Sequence, residues 1–243
     1  IKDISGIEYA KNLTYLDLSV NEIKDIHLLG ELKKLRVLHL PSNQISGISA
    51  LQGLKKLEIV DLSTNQISDI RALKDLTEIF MLNLNINNIS EIDALGGLTK
   101  LTDLHIFANQ ISDISVLSNF KTLYVLDASY NPFSDISVLE KVKTLQMLNL
   151  SGNQISDIRV LRHLTNLMEL ELADNEINDI STLRGLTKLT VLRLNNNQIT
   201  DIAALQNLTK LQELTLGWNG ISDITVLSSL KNLTNLDLAA NGI

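Results

Sequence analysis

Asparagine recurs every 22 residues along the whole chain, eleven times and without an insertion or deletion. Apolar residues stand three and five positions before each of these asparagines, and Ile, or once Phe133, stands two positions after it. The alternation before the Asn has the period of a β-strand, whose successive side chains point to opposite faces. One unit cannot bury its apolar side alone, so neighbouring units must stack. The pattern predicts a solenoid with one parallel strand per unit. We call the repeated residues the ladder asparagines: Asn21, Asn43, Asn65, Asn87, Asn109, Asn131, Asn153, Asn175, Asn197, Asn219 and Asn241.

The ladder asparagines are expected to turn inward. A buried amide without partners would be costly, so the repetition indicates that each side chain bonds backbone groups of adjacent turns. Removing one, as in Asn109→Ala, should therefore lower the free energy of unfolding by about 1–3 kcal/mol.

A second periodic position carries an acidic residue in nearly every unit. Between residues 25 and 223 the position occurs ten times, and Asp occupies it everywhere except at Gly47 and Glu91. A row of carboxylates could suggest metal binding. The more ordinary interpretation is that Asp accepts backbone N–H groups at the start of a short helical turn. The following D-I-S-V-L phrase is short enough to favour 3₁₀ turns over long helices.

The sixth unit departs from the pattern. Ala128 replaces an inward Leu and Phe133 replaces an inward Ile, so we expect the larger ring to fill the volume that Ala128 leaves. Pro132 follows the ladder asparagine and fixes the turn there.

Charge and composition narrow the classes of partner. The net charge is −7, which argues against a nucleic-acid partner and against binding to anionic lipid. No apolar run reaches the roughly 20 residues that cross a bilayer, so we expect no membrane insertion. With no cysteine, the chain has no disulfide, no thiolate metal site and no Cys nucleophile. We expect a monomer without a cofactor.

The repeat phrases resemble the 22-residue leucine-rich repeats of internalins and related surface proteins of Gram-positive bacteria. The phrase N-Q-I-S-D-I at Asn65 to Ile70, Asn109 to Ile114 and Asn153 to Ile158 carries the resemblance, together with L-T-K-L from Leu98 and L-T-N-L from Leu164. It covers the whole chain. One departure is that the Pro of the family phrase D-I-S-P-L never appears, its place holding residues such as Leu28.

The resemblance implies an α/β solenoid of the leucine-rich-repeat horseshoe type, with a parallel β-sheet on the concave side and 3₁₀ or short helical turns on the convex side. Residues 1–243 are then a single leucine-rich-repeat domain of about eleven repeats, whose capping segments we expect to lie outside this sequence. The resemblance also implies an extracellular or bacterial cell-surface location and a protein-binding module that takes part in adhesion or in capture of a host protein.

Function is expected on the exposed strand positions, which lie one, two, four, six and seven residues before each ladder asparagine. Large apolar or aromatic residues there are candidate contact residues, since such anchors dominate protein interfaces. They concentrate in units four to six, with Trp218 and His39 apart from them. Phe80 and Tyr124 lie at strand margins, where packing over the edge is an equal alternative. The predicted partner-binding residues are Met81, Asn85, Ile86, Asp103, His105, Phe107, Tyr124, Tyr130, Trp218 and His39.

The same face carries more acidic than basic residues, so we expect it to prefer a neutral or basic partner surface and to bind less tightly as salt rises. Glu171 and Arg193 on adjacent strands are expected to form a surface ion pair. His105, Asp127 and Ser129 form a formal catalytic set. An open sheet face offers no closed pocket or oxyanion donors, so we expect no enzyme.

Three alternatives to bacterial protein capture remain at this stage. Regulators of protein phosphatases use a similar unit, so the chain could be an intracellular protein-interaction scaffold. It could also recognise substrate for a catalytic domain outside this sequence. An engineered consensus repeat is the third, although the irregular sixth unit argues against it.

Overall fold

Each repeat contributes one short strand in the computed structural model, which describes residues 1–243. Every strand has three residues, and its central residue is the apolar one that precedes the ladder asparagine by five positions. The strands are β1 (Tyr15–Asp17), β2 (Val37–His39), β3 (Ile59–Asp61), β4 (Met81–Asn83), β5 (Asp103–His105), β6 (Val125–Asp127), β7 (Met147–Asn149), β8 (Glu169–Glu171), β9 (Val191–Arg193), β10 (Glu213–Thr215) and β11 (Asn235–Asp237).

The chain forms two compact parts, Ile1–Leu123 and Tyr124–Ile243. These are called the first and second units from here on, and each 22-residue segment is called a repeat. Strands β1 to β5 lie in the first unit and β6 to β11 in the second, and within each unit consecutive strands pair in parallel. The register pairs residues 22 positions apart, as in Tyr15 with Val37. This register stacks identical repeat positions on one another, as the sequence period predicts.

The other side of each repeat is a single 3₁₀ turn, as predicted. The turns are Ile7–Tyr9, His27–Glu31, Ser49–Gly53, Arg71–Leu73, Asp93–Gly97, Ser115–Asn119, Ser137–Lys141, Arg159–His163, Ser181–Gly185, Ala203–Asn207 and Thr225–Ser229. In each of the eight repeats between residues 25 and 223 that carry Asp at the acidic position, its carboxylate accepts the backbone N–H of the first residue of the turn, two positions later. The expected backbone bond is therefore present. Isoleucine, one residue after the Asp, occupies the N-cap itself.

The ladder asparagines face the interior and bond backbone groups of two neighbouring repeats. Asn43 is representative: its Nδ2 donates to Leu18 O at 3.0 Å and to Leu40 O at 3.1 Å, and its Oδ1 accepts the Ile23 N–H at 3.0 Å. The same set recurs for Asn87 and Asn175, both of which are buried. Each amide thus joins one repeat to the preceding one while it closes its own turn.

The core of each unit consists almost entirely of Leu and Ile stacked at equivalent positions. The sixth repeat keeps this continuity with different residues, because Ala128 and Phe133 are both completely buried. Both positions therefore remain part of the core. The parallel strands, the 3₁₀ turns and the stacked repeat together confirm the predicted solenoid fold.

Candidate functional site

The exposed side of the strands is the candidate site, and we call it the strand face. It comprises the residues one, two, four, six and seven positions before each ladder asparagine. Residues between them, such as Leu82 and Leu84 in β4 and just after it, are completely buried. Stacking therefore dictates every second residue of the strand and leaves its neighbours free for recognition.

In the first unit, the structure brings several predicted contact residues together on β4 and β5. Met81 lies directly opposite Asp103 in the parallel register. The Asn85 side chain spans the two repeats, because its Oδ1 accepts the Phe107 N–H at 2.7 Å. Met81 and Ile86 are exposed, whereas Phe107 is half-buried. The fourth and fifth repeats thus present apolar side chains on a backbone that Asn85 braces.

His105 and Phe80 complete this part of the strand face. His105 is half-buried opposite Asn83. Phe80 is also half-buried. Thr102 donates its hydroxyl to Asp103 Oδ2 at 2.5 Å, which orients that carboxylate. The cluster is therefore mixed, with aromatic rings beside fixed polar groups, as interface anchors are.

The residue immediately before each ladder asparagine has a left-handed backbone. All eleven have positive φ, from 52° to 57° for the ten non-glycine residues and 67° for Gly152. Sequence reasoning missed this feature. Asn and Gly adopt this region most readily, and β-branched residues are outliers there. Ile86, at φ 54° and 47% exposed, is such an outlier on the strand face.

In the second unit, Tyr130 is held along the same row of left-handed residues. Its hydroxyl donates to Asp174 Oδ2 at 3.1 Å, two repeats away, and Asn196 Nδ2 donates to Asp174 Oδ1 at 2.8 Å. Its ring covers Gly152, since a Cβ built there would lie 2.6 Å from the ring. The bond to Asp174 raises the pKa of Tyr130 above its ordinary value. Tyr130 is 52% exposed yet fixed in direction.

The other apolar candidates of the second unit are more dispersed. Tyr124 is exposed, and Trp218 is the most exposed of them at 68%. Met147 and Met168 are also exposed on the strand face, and sequence reasoning missed both. Their positions, six and seven residues before the ladder asparagine, are those of Met81 and Phe80, so a comparison by repeat position would have found them.

His39 belongs to a separate cluster at the start of the first unit. Its ring lies 5.7 Å from that of Tyr15, tilted by 49°. Tyr15 is exposed and was also missed. Asp17 lies opposite His39, and its pKa is lowered mainly by hydrogen bonds from Ser19, with a smaller contribution from His39. The structure thus keeps His39, on β2, separate from the residues on β4 and β5.

Acidic groups dominate the charge of the strand face. Of the 21 Lys and Arg residues of the chain, only Arg36 and Arg193 occupy strand-face positions. The predicted ion pair between Glu171 and Arg193 is present, and Arg193 Nε also donates to Glu213 Oε1 at 2.6 Å. Burial raises the pKa of Glu171, while these carboxylates raise that of Arg193. Both cations of the face are thus already paired, since Arg36 bonds Glu58.

The residues of the formal catalytic set have other contacts. Ser129 is buried, and its hydroxyl donates to Asp127 Oδ1 at 2.5 Å. A hydroxyl that donates to a carboxylate in this way serves the turn that follows the strand. No group of three or more His, Cys, Asp or Glu side chains is placed to hold a metal ion. None of the helical turns has the length and apolar character needed to cross a membrane.

Comparison with known families identifies the repeat. A family model described as leucine-rich repeats, two copies per match, covers residues 11–46, 33–75, 77–119, 143–185, 165–207 and 187–227. The matches span most of the chain, which therefore belongs to the leucine-rich-repeat family. No curated protein sequence matches the chain significantly.

Several solved structures resemble the chain. An internalin (inlF) from Listeria monocytogenes is 40% identical over 99% of this chain and 71% of its own, with a TM-score of 0.96. A leucine-rich-repeat protein from Leptospira interrogans is 29% identical, with a TM-score of 0.88 and coverages of 94% and 62%. The plant peptide hormone receptor RGFR1, in complex with RGF2, is 27% identical, with a TM-score of 0.82 and coverages of 97% and 41%. The chain is a leucine-rich-repeat protein-interaction module similar to internalins.

Proposed function

We propose that this module captures another protein through its strand face, as the adhesive or host-protein-binding part of a bacterial surface or secreted protein. The observation that carries the proposal is the placement of large apolar side chains at left-handed positions. Ile86, Tyr130 and Trp218 are all exposed there, although Asn or Gly would adopt that backbone with less strain. Exposed apolar side chains on a strained backbone are typical of binding sites.

The fixed direction of Tyr130 supports the same proposal. Its hydroxyl bond to Asp174 and its ring over Gly152 remove rotamer freedom before any partner arrives. Ordering a side chain on binding costs about 0.5–1.5 kcal/mol, so a pre-positioned ring gives more affinity for the same contact area. Tyr is also among the residues most enriched at interface hot spots.

Charge favours a neutral or basic partner surface. Asp127, Glu169, Glu171 and Asp174 all occupy strand-face positions of the second unit, where Arg193 is the one basic residue and is paired. A basic partner would associate faster at low salt, and its affinity would fall as salt rises.

The similar structures supply a precedent for the class of ligand. RGFR1 was solved in complex with RGF2, so a leucine-rich-repeat chain of this architecture does hold a peptide hormone. The likeness to an internalin supports a surface or secreted setting. The chain covers 71% of the length of that internalin. The activity of the whole protein to which such a chain belongs is therefore proposed here together with the binding role of the chain.

The test is capture of host-surface and serum proteins on the immobilised chain, followed by a direct affinity measurement for each captured protein. Phe107→Ala and Tyr130→Ala address the strand face of the first and second units separately. We expect at least one of them to weaken binding by about tenfold or more, as loss of a hot-spot residue does. Circular dichroism and urea unfolding confirm that each variant is folded.

Tyr9→Ala is the matched control, because Tyr9 is an equally large and more exposed aromatic residue that lies in the first 3₁₀ turn, away from the strand face. We expect it to leave the affinity unchanged. A partner that both strand-face variants retain and Tyr9→Ala loses would place recognition outside the strand face and overturn the proposal.

A further inference from the structure

A concentration of lysine lies beside the strand face in the first three repeats. The two residues that stand ten and nine positions before the ladder asparagine are Lys33 and Lys34 in the second repeat, and Lys55 and Lys56 in the third. Every other repeat has at most one lysine at these two positions, and the first repeat has Lys11 there. The double lysines are therefore not imposed by the repeat. We call these five residues the lysine row.

The carboxylates near the lysine row do not neutralise it. Lys11 lies 3.8 Å from Glu31, and Lys55 lies 3.5 Å from Asp75. Lys34 donates to the neutral amide of Asn12 at 2.7 Å. The remaining two members, Lys33 and Lys56, have no ion pair. Five ammonium groups thus face two carboxylates, in a chain whose net charge is −7.

The spacing of the row places like charges side by side. Lys11, Lys33 and Lys55 occupy one repeat position in three consecutive repeats, and parallel neighbouring strands lie about 4.8 Å apart. These lysines lie in the turns that precede the strands, and the stacking of the repeats brings their like charges close enough to repel one another. The ammonium of Lys33 lies over Gly53, where a Cβ would be 2.7 Å from it, so the glycine leaves room for this charge.

We propose that the lysine row binds a linear sulfated polysaccharide, a polymer whose regularly spaced anions relieve this repulsion. The row is two residues wide, and the strand face of the same repeats carries Asp17 and Asp61, which would repel a broad anionic surface such as a membrane. The two positions carry no aromatic residue in any repeat, so the row itself offers no ring on which nucleic-acid bases could stack. A polyanion without bases fits both conditions.

The experiment uses the full chain and heparin as the probe, with affinity measured across a salt series. In the test variant, Lys33, Lys34, Lys55 and Lys56 are each changed to Gln. In the matched control, Lys100, Lys121, Lys143 and Lys188 are changed to Gln, which removes the same charge from the same repeat positions elsewhere. The test variant should bind heparin about tenfold or more weakly, with a shallower salt dependence, since fewer counterions are released.

The control should stay within about twofold of the unchanged chain, because the lost charges lie outside the row. Equal losses in the two variants, or no heparin binding at low salt, would overturn the proposal. Tighter binding to single-stranded poly-dT, or to vesicles that contain phosphatidylserine, would also overturn it and assign the row to nucleic acid or to a membrane. Urea unfolding of both variants separates loss of binding from loss of folding.

Discussion

Each ladder asparagine is constrained by hydrogen bonds to the backbone, whereas the residue immediately before it varies in type from repeat to repeat. A ladder amide such as Asn87 is buried and bonds the backbone of two repeats. Ile86 beside it is exposed at a positive φ that disfavours its side chain. The buried hydrogen bonds require Asn at the first position, whereas the fold accepts Ile at the second despite its disfavoured backbone. The same 22-residue unit therefore separates what holds the fold from what is available for recognition.

The largest effect is expected from breaking the ladder. Asn109→Ala removes an amide that donates to Leu84 O at 3.0 Å and accepts the Ile89 N–H at 3.0 Å. Backbone groups left without partners lower the free energy of unfolding by about 1–3 kcal/mol. Urea unfolding measures the change. Gln110→Ala, at the exposed neighbour, should change it by less than about 0.5 kcal/mol, and equal midpoints for the two variants would contradict the role of the ladder.

The irregular sixth repeat tests whether the core requires a constant side-chain volume or particular residue types. Ala128→Leu should overpack the core and lower the free energy of unfolding by about 1–3 kcal/mol. Phe133→Ile should leave a cavity and lower it as well. Because the two changes compensate in volume, the double variant should lose about 1 kcal/mol less than the sum of the single variants. Strict additivity in urea unfolding would show that the two side chains do not share a space.

The strand face should respond in the opposite direction. Ile86→Asn replaces a β-branched residue at φ 54° by one that tolerates this backbone, so the free energy of unfolding should rise by about 0.5–1 kcal/mol. Met81→Asn is the matched control, because it makes the same kind of change on the same face at an ordinary strand backbone. It should give no gain, since Asn is a poor strand former. A gain from Met81→Asn as large as that from Ile86→Asn would remove backbone strain as the cause.

These contrasts explain which features the sequence predicts. The fold follows from periodicity, because stacking demands the same residue type every 22 positions, as at Asn43 and Asn65, and the demand is visible as repetition. The strand face is defined by departures from repetition, so its position could be predicted but its contacts could not. The hydrogen bond from Tyr130 to Asp174 depends on Gly152 between them, and no local sequence pattern predicts such a contact. The left-handed backbone at Ile86 was hidden because its residue types vary.

The acidic residue before each 3₁₀ turn recurs with the same period as the ladder asparagines but lies at the surface. It therefore tests how much a repeated position contributes to stability when its side chain is not buried. Arg159 and the turn backbone bond the Asp157 carboxylate and lower its pKa to about 2. Since the folded-state pKa is depressed, any stabilisation is complete above the ordinary Asp value and is lost as the pH falls through about 2. Its size should be the smallest of the set, because both side chains are solvated.

NMR titration of the Asp157 carboxyl tests this directly. The midpoint should lie near 2 in the unchanged chain and move upward in Arg159→Gln, because the guanidinium bond is the largest cause of the shift. The pKa of Asp179, whose turn begins at Ser181 instead of Arg, is lowered by hydrogen bonds to that serine and should not move. If Arg159→Gln leaves the Asp157 midpoint in place, the backbone N–H alone sets it. If urea unfolding near neutral pH shows that Arg159→Gln lowers the free energy of unfolding as much as Asn109→Ala does, then an exposed repeated position contributes as much to stability as a ladder asparagine.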